Sequence, residues 1–240
     1  MENALLKYLN ERMRKTMEAP KMRRSTPGPV ITISREVGCN GLVLARKLAA
    51  RLNQQATKAE WKVLSKEVFY KSAKELDIAP ETIRKTLKKV DKYTFEEILN
   101  AFGNKRYKSN AKIIKTVRDV VYSLSEEGFN IIVGRASHII AHDLKKALHL
   151  RLIAPMDYRV TNIMANNDLS KTKAIDFIQK VEQERQAFRK AMNEDEQRHD
   201  YFDLTINRAS FSTEQIIELI IKAIDKKQLL CGCPQDAEYL

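Results

Sequence analysis

Five short apolar runs, "PVITIS" (29–34), "WKVLS" (61–65), "FNIIVG" (129–134), "LHLRLIA" (148–154) and "FDLTIN" (202–207), recur along the chain with helical stretches between them. Runs this short, nearly continuous and rich in β-branched residues suit strands buried on both faces. Strands of that kind alternating with helices predict an α/β fold of three layers, a five-stranded parallel sheet flanked by helices. Ligands of such sheets bind beyond the carboxyl ends of the strands, where the chain turns toward the next helix. The residues just past the first four runs are Arg35, then Lys66 and Glu67, then Arg135, then Pro155 to Arg159. Nearly every turn therefore carries a cation.

The charge balance points the same way. Lys and Arg exceed Asp and Glu by 43 to 31, a net charge of +12 at pH 7, which favours anionic partners: nucleotides, nucleic acid or a membrane surface. A length of 240 residues with 43% hydrophobic residues suits one core with appendages. Residues 1–28 read as an amphipathic helix carrying Leu5, Leu6, Leu9 and Met13, followed by a basic linker. Such a helix docks on the body or on a partner chain, so a homodimer is one expectation. Residues 29–228 form the expected domain, with a helical acceptor-side insertion at about 67–127 and a lid region at about 168–200; 229–240 is a flexible tail. Charge scattered through the N-terminus argues against a signal peptide or membrane span, and a cytoplasmic location is expected. Three cysteines, Cys39, Cys231 and Cys233, make no disulfide framework and fit a reducing compartment. "NKRYKSNAK" (104–112) reads as a solvated charged turn rather than a nucleic-acid contact, and nucleic acid is not an expected partner.

The chemistry concentrates in a few stretches. In "SREVGCNGL" (34–42) a strand passes through a glycine turn into a helix, so exposed backbone N–H groups and the helix dipole can both face an anion. A G-x-x-G turn alone is weak evidence, because tight strand-to-helix packing also selects glycine. Arg135 in "GRA" delivers a guanidinium to the same crevice; its fork of donors suits phosphate oxygens, or else an internal ion pair with Glu36 or Asp157. Ser170 is a plausible N-cap for a helix on which Arg185 and Arg189 lie four residues apart on one face. They suit a lid closing over phosphates, or a solvated face paired with Glu182, Glu184 or Glu194.

Taken in order, "ITISREVGCNGLVLARKLAARL", "VLSKEVF", "IIVGRASHII", "LRLIAPMDYRV", an arginine-bearing helix and "YFDLTINRASFSTEQIIELI" resemble the cytidylate kinase-like family of P-loop nucleoside monophosphate kinase folds over about 30–227. The resemblance implies ATP as donor and Mg2+ bridging its phosphates, with a nucleoside monophosphate or related small acceptor on the helical insertion. Carried over by position, Ser34, Arg35, Gly38, Cys39, Asn40 and Gly41 form the donor loop. Lys66, Arg135 and Arg159 bind the acceptor, and Arg35, Arg185 and Arg189 supply catalytic charge. The chain departs from the family pattern at Asn40-Gly41-Leu42, where a loop cation is common, and at Val43, where a conventional P-loop offers a hydroxyl. Ser65 stands in place of an aspartate, and His138 where small residues are usual. The main expectation is an ATP-dependent phosphotransferase. A catalytically weak nucleotide-binding sensor or scaffold is the alternative, and an RNA-associated basic protein a third reading.

Overall fold

The computed structural model describes residues 27–54, 59–65, 68, 72, 110–193 and 201–230. The expected N-terminal helix, Lys66 and Glu67, most of the helical insertion, the end of the lid region and the Cys231/Cys233 tail lie outside the described residues. The elements run β1 (Val30–Arg35), α1 (Gly41–Asn53), β2 (Lys62–Leu64), α2 (Asn110–Glu127), β3 (Asn130–Val133), α3 (Ser137–Ile140), β4 (Ala147–Ile153), α4 (Met156–Asn167), α5 (Lys171–Met192), β5 (Leu204–Asn207) and α6 (Thr213–Lys226). Each of the five apolar runs forms a strand, in the order β2-β3-β1-β4-β5 with every pairing parallel.

Strand period two divides the core. Ile31 and Ile33 face α1 and α6 together with Leu148, Leu150 and Leu152, meeting Leu44, Leu48, Ile216 and Ile220. Val30, Ile132 and Ala147 face the opposite layer, where Ile113, Val117, Val120 and Leu124 line one side of α2. That spacing of three and four residues makes α2 a helix with one apolar stripe, and burying each large aliphatic side chain contributes about 1.5–3 kcal/mol. α6 begins with a capping box in which the Ser212 hydroxyl accepts the Gln215 N–H and the Gln215 side chain accepts the Ser212 N–H. Ser170 does occupy the N-cap of α5, without a side-chain capping bond.

β1, in the centre, has β3 on one side and β4 on the other, so the chain reverses its winding direction around it. The crevice at that reversal is where open α/β sheets place ligands. A third apolar cluster lies there: Val37, just past β1, packs on Val160 and Ile163 of α4 and on Ala174, Ile178 and Val181 of α5.

One polar pair lies within the sheet. The Thr32 hydroxyl and His149 Nδ1 are 2.8 Å apart, and the His149 N–H donates to Asp203 Oδ2 at 2.7 Å. Burial pushes the imidazole down to about 4, outweighing the opposite pull of Asp203. The folded chain then keeps His149 neutral between pH 4 and 6.5 while the unfolded chain binds the proton. Stability is therefore lost as pH falls through that window, by at most on the order of 3 kcal/mol. Thermal melts between pH 7 and 4 should show this acid slope flattened in His149→Gln; an equal slope in both proteins would assign it elsewhere.

Candidate functional site

β1 ends at Arg35 and α1 begins at Gly41, so five residues make the turn between them. Glu36 extends the β1–β4 edge: its N–H donates to Leu152 O at 3.0 Å, and its carboxylate accepts the Ala154 N–H at 3.0 Å. Gly38 has φ 92°, and a Cβ there would lie 2.7 Å from Arg159 O and 2.8 Å from Arg159 Cα, so only glycine fits. Asn40, the N-cap of α1, sits in the left-handed region at φ 49°, ψ 38°. The Cys39 N–H closes the turn on Glu36 O at 3.3 Å. Its thiol points into the core, where burial raises it to about 11, so Cys39 offers a ligand no sulfur. The N–H groups of Gly38, Asn40, Gly41 and Leu42 have no hydrogen-bond acceptor among the described residues. Four unpaired donors at the N-terminus of a 13-residue helix make an anion-binding cradle.

Two helices brace this turn. From α4, Asn162 Nδ2 donates to Gly38 O at 2.9 Å and Asn166 Nδ2 to Asn40 Oδ1 at 3.2 Å. From α5, Arg185 Nη1 donates to Arg35 O at 3.1 Å, while Glu182 Oε1 accepts the Val37 N–H at 2.6 Å. Arg159 of α4 lies between two carboxylates, with Nε 3.6 Å from Glu36 Oε2 and Nη1 3.4 Å from Glu182 Oε1. The ion pair with Glu36 considered for Arg135, and the one with Glu182 considered for Arg185, are both made by Arg159. Arg189 lies in the last turn of α5, one helical turn beyond Arg185. Ser34 is buried on the face of β1 opposite Ile33, in register with Arg151 of β4.

Arg35 links this turn to the end of β3. Its Cγ would be 3.1 Å from a Cβ on Gly41, and a guanidinium nitrogen occupies the space a Cβ on Gly134 would fill. Gly134, Arg135 and Ala136 have successive φ values of 75°, 61° and 52°. For each of the two non-glycine residues this conformation costs about 1–2 kcal/mol, strain of the kind that gathers at functional sites. The turn places Arg135 against β2, with Nε donating to Ser65 O at 3.1 Å. Ser65 thus positions Arg135 through its backbone, whatever the missing aspartate would have done. His138 is buried, with its ring stacked 4.6 Å from Phe202, and is packed rather than presented.

Sequence reasoning missed the roles of four residues here. Glu182, Asn162 and Asn166 carry no motif, since their roles depend on helices that arrive at the loop from more than a hundred residues away. Arg208 had a signal: it directly follows the fifth run, the one strand end not surveyed for cations. It is 7% exposed, its Nε donates to Cys39 O at 3.4 Å, and its Nη2 donates to Thr213 Oγ1 at 3.2 Å. Among the described residues no group of three or more His, Cys, Asp and Glu side chains is placed to hold a metal ion.

Comparison with known proteins sets this geometry in a lineage. A crystal structure of an uncharacterized protein from Eubacterium ventriosum superposes with a TM-score of 0.58 at 19% identity, covering 82% of this chain and 98% of that one. Shikimate kinase from Bacteroides thetaiotaomicron gives a TM-score of 0.46 at 10% identity over 82% of this chain and 98% of its own. A stretch of 121 residues, 50% of this chain, is 26% identical to a uronate isomerase of Corynebacterium glutamicum, of whose length the chain spans 23%. Residues 30–210, from the first residue of β1 to just past β5, match the model of the cytidylate kinase-like family, and the chain belongs to that family.

Proposed function

We propose that the protein is an ATP-dependent phosphotransferase acting on a nucleoside monophosphate or a related small phosphorylated acceptor. The observation that carries the reading is the cradle of unpaired N–H groups of Gly38, Asn40, Gly41 and Leu42, with Arg35 spanning from it to the Arg135 turn. Backbone donors and the α1 dipole hold the donor phosphates. Arg35 lies between the donor loop and the turn that presents Arg135, where charge passes during in-line transfer. Arg135, with Lys66, is assigned to the acceptor, and Arg185 and Arg189 to neutralising charge from α5. Arg159 contributes to the site through Glu36 and Glu182.

The donor phosphates suit the cradle, whereas the described residues around it offer no place for a protein-held Mg2+. Gly41, Leu42 and Val43 offer no side-chain oxygen, and the nearby carboxylates of Glu36 and Glu182 face Arg159. No step is assigned to a protein-bound metal; Mg2+ enters as the chelate of the nucleotide, in the manner the family implies. The same apolar positions, together with a carboxylate on the Val37 amide, favour a second reading as a nucleotide-binding sensor that turns over slowly or not at all. Losing one transition-state cation costs about 2–4 kcal/mol. A cytoplasmic location is part of the proposal; no described helix is long and apolar enough to cross a membrane.

Incubation with ATP, Mg2+ and a panel of monophosphates separates the readings. The transferase produces ADP only when an acceptor is present, and Arg135→Ala removes that ADP while leaving ATP binding by calorimetry within about threefold. Tight ATP binding with no acceptor-dependent ADP establishes the sensor instead.

A further inference from the structure

The geometry points to Arg208 as a phosphate-binding residue, a cation brought from the end of β5 to a loop that carries none at its helix-starting positions. Its backbone is fixed at the carboxyl edge of the sheet, where its N–H donates to Ile153 O at 2.8 Å. The side chain is more than nine-tenths buried and reaches the carbonyl of Cys39 in the middle of the cradle. Both of its hydrogen-bond acceptors are neutral, Cys39 O and Thr213 Oγ1, and its Nη1 is enclosed with no acceptor at all. No carboxylate lies within ion-pair distance of it among the described residues; the nearby Glu214 is exposed and held by Lys47 at 2.9 Å.

Two separate deficits thus meet in one place. A buried guanidinium with only neutral partners lacks a counter-charge, which the interior strongly disfavours, and an enclosed donor lacks an acceptor. Around Cys39, the amides of Gly38, Asn40, Gly41 and Leu42 also lack acceptors among the described residues. An anionic group held at the cradle would supply the counter-charge and, to a guanidinium turned toward it, the acceptor. The planar fork of arginine suits two oxygens of a phosphate, and the missing charge at Gly41-Leu42 is what a cation arriving from β5 replaces. The alternative is a neutral staple that ties the loop to α6 and has no use for an anion.

The inference takes its ligand class, the polyphosphate of a donor nucleotide, from the proposed function, but its test needs neither nucleotide nor turnover. Full-length wild type, R208K and R208Q are titrated calorimetrically with inorganic tripolyphosphate without metal, and each is melted with and without it. Wild type is expected to bind, R208Q to bind at least about tenfold more weakly, and R208K to fall between them. Ligand-free R208Q should melt within a few degrees of wild type or higher, since an unbalanced buried charge has been removed. Equal affinity in wild type and R208Q, or no binding by wild type, overturns the assignment. So does a sharp loss of ligand-free stability in R208Q combined with unchanged affinity in the folded R208K. A protein that binds tripolyphosphate through Arg208 yet makes no ADP refutes the transferase and leaves this site standing.

Discussion

Gly38→Ala is expected to destabilise the folded chain by about 2–5 kcal/mol and to remove anion binding at the loop. An alanine held near φ 92° pays about 1–2 kcal/mol for its backbone alone. Its methyl group would also sit 2.7–2.8 Å from Arg159 O, Cα and Cβ, and backbone atoms in the first turn of α4 cannot rotate away as a side chain would. Forcing them apart adds about 1–3 kcal/mol and strains the Asn162 bond to Gly38 O, one of the contacts that hold the turn. The effect should appear as a lower denaturant midpoint at unchanged slope. Gly41→Ala is the informative contrast. There the methyl group would meet only the flexible stem of Arg35, at 3.1 Å from Cγ, so stability should hold while Arg35 is displaced. Similar losses of stability in the two variants would mean that the close approach of Arg159 to Gly38 is not what fixes the loop.

The contrast also separates what could be read from the sequence from what could not. Each of the five strands formed on one of the apolar runs, because a strand buried on both faces has no polar face to interrupt it. Their ends moved by a residue or two: "PVITIS" became Val30–Arg35, since pairing with β4 continues through Arg35 opposite Leu152. The strand order is a matter of long-range pairing and was not written in any local pattern. Arg35 and Arg135 were legible because a residue following a buried strand must emerge at its carboxyl edge. The direction of the Cys39 thiol was not, since the turn fixes it only once Gly38 and Asn40 adopt positive φ. Helical spacing left Arg185 and Arg189 open between a closing lid and a solvated face, and the family resemblance put them in the lid region. In the structure α5 already rests on the loop through Val181 and Ile178 against Val37, a contact no helical pattern reveals.

That contact makes the Arg159 cluster the second sensitive point. Arg159→Ala is expected to cost about 2–4 kcal/mol, because it leaves Glu36 and Glu182 facing each other across the loop without their shared cation. Their side chains keep 25% and 30% exposure, so the penalty falls short of that for a fully enclosed pair. Glu182→Gln should be far milder, since its amide oxygen can still accept the Val37 N–H while the charge is removed. The two changes should therefore not add: R159A/E182Q should recover about 1–2 kcal/mol of the loss, measured as a double-mutant cycle in urea. The same cycle carries a functional readout. A carboxylate on the Val37 amide repels an anion entering the adjacent cradle, so Glu182→Gln should raise tripolyphosphate affinity by about threefold to tenfold. Strict additivity in the cycle would show that Arg159 and Glu182 are not coupled. An unchanged affinity in Glu182→Gln would show that the carboxylate holds the loop without competing for its anion.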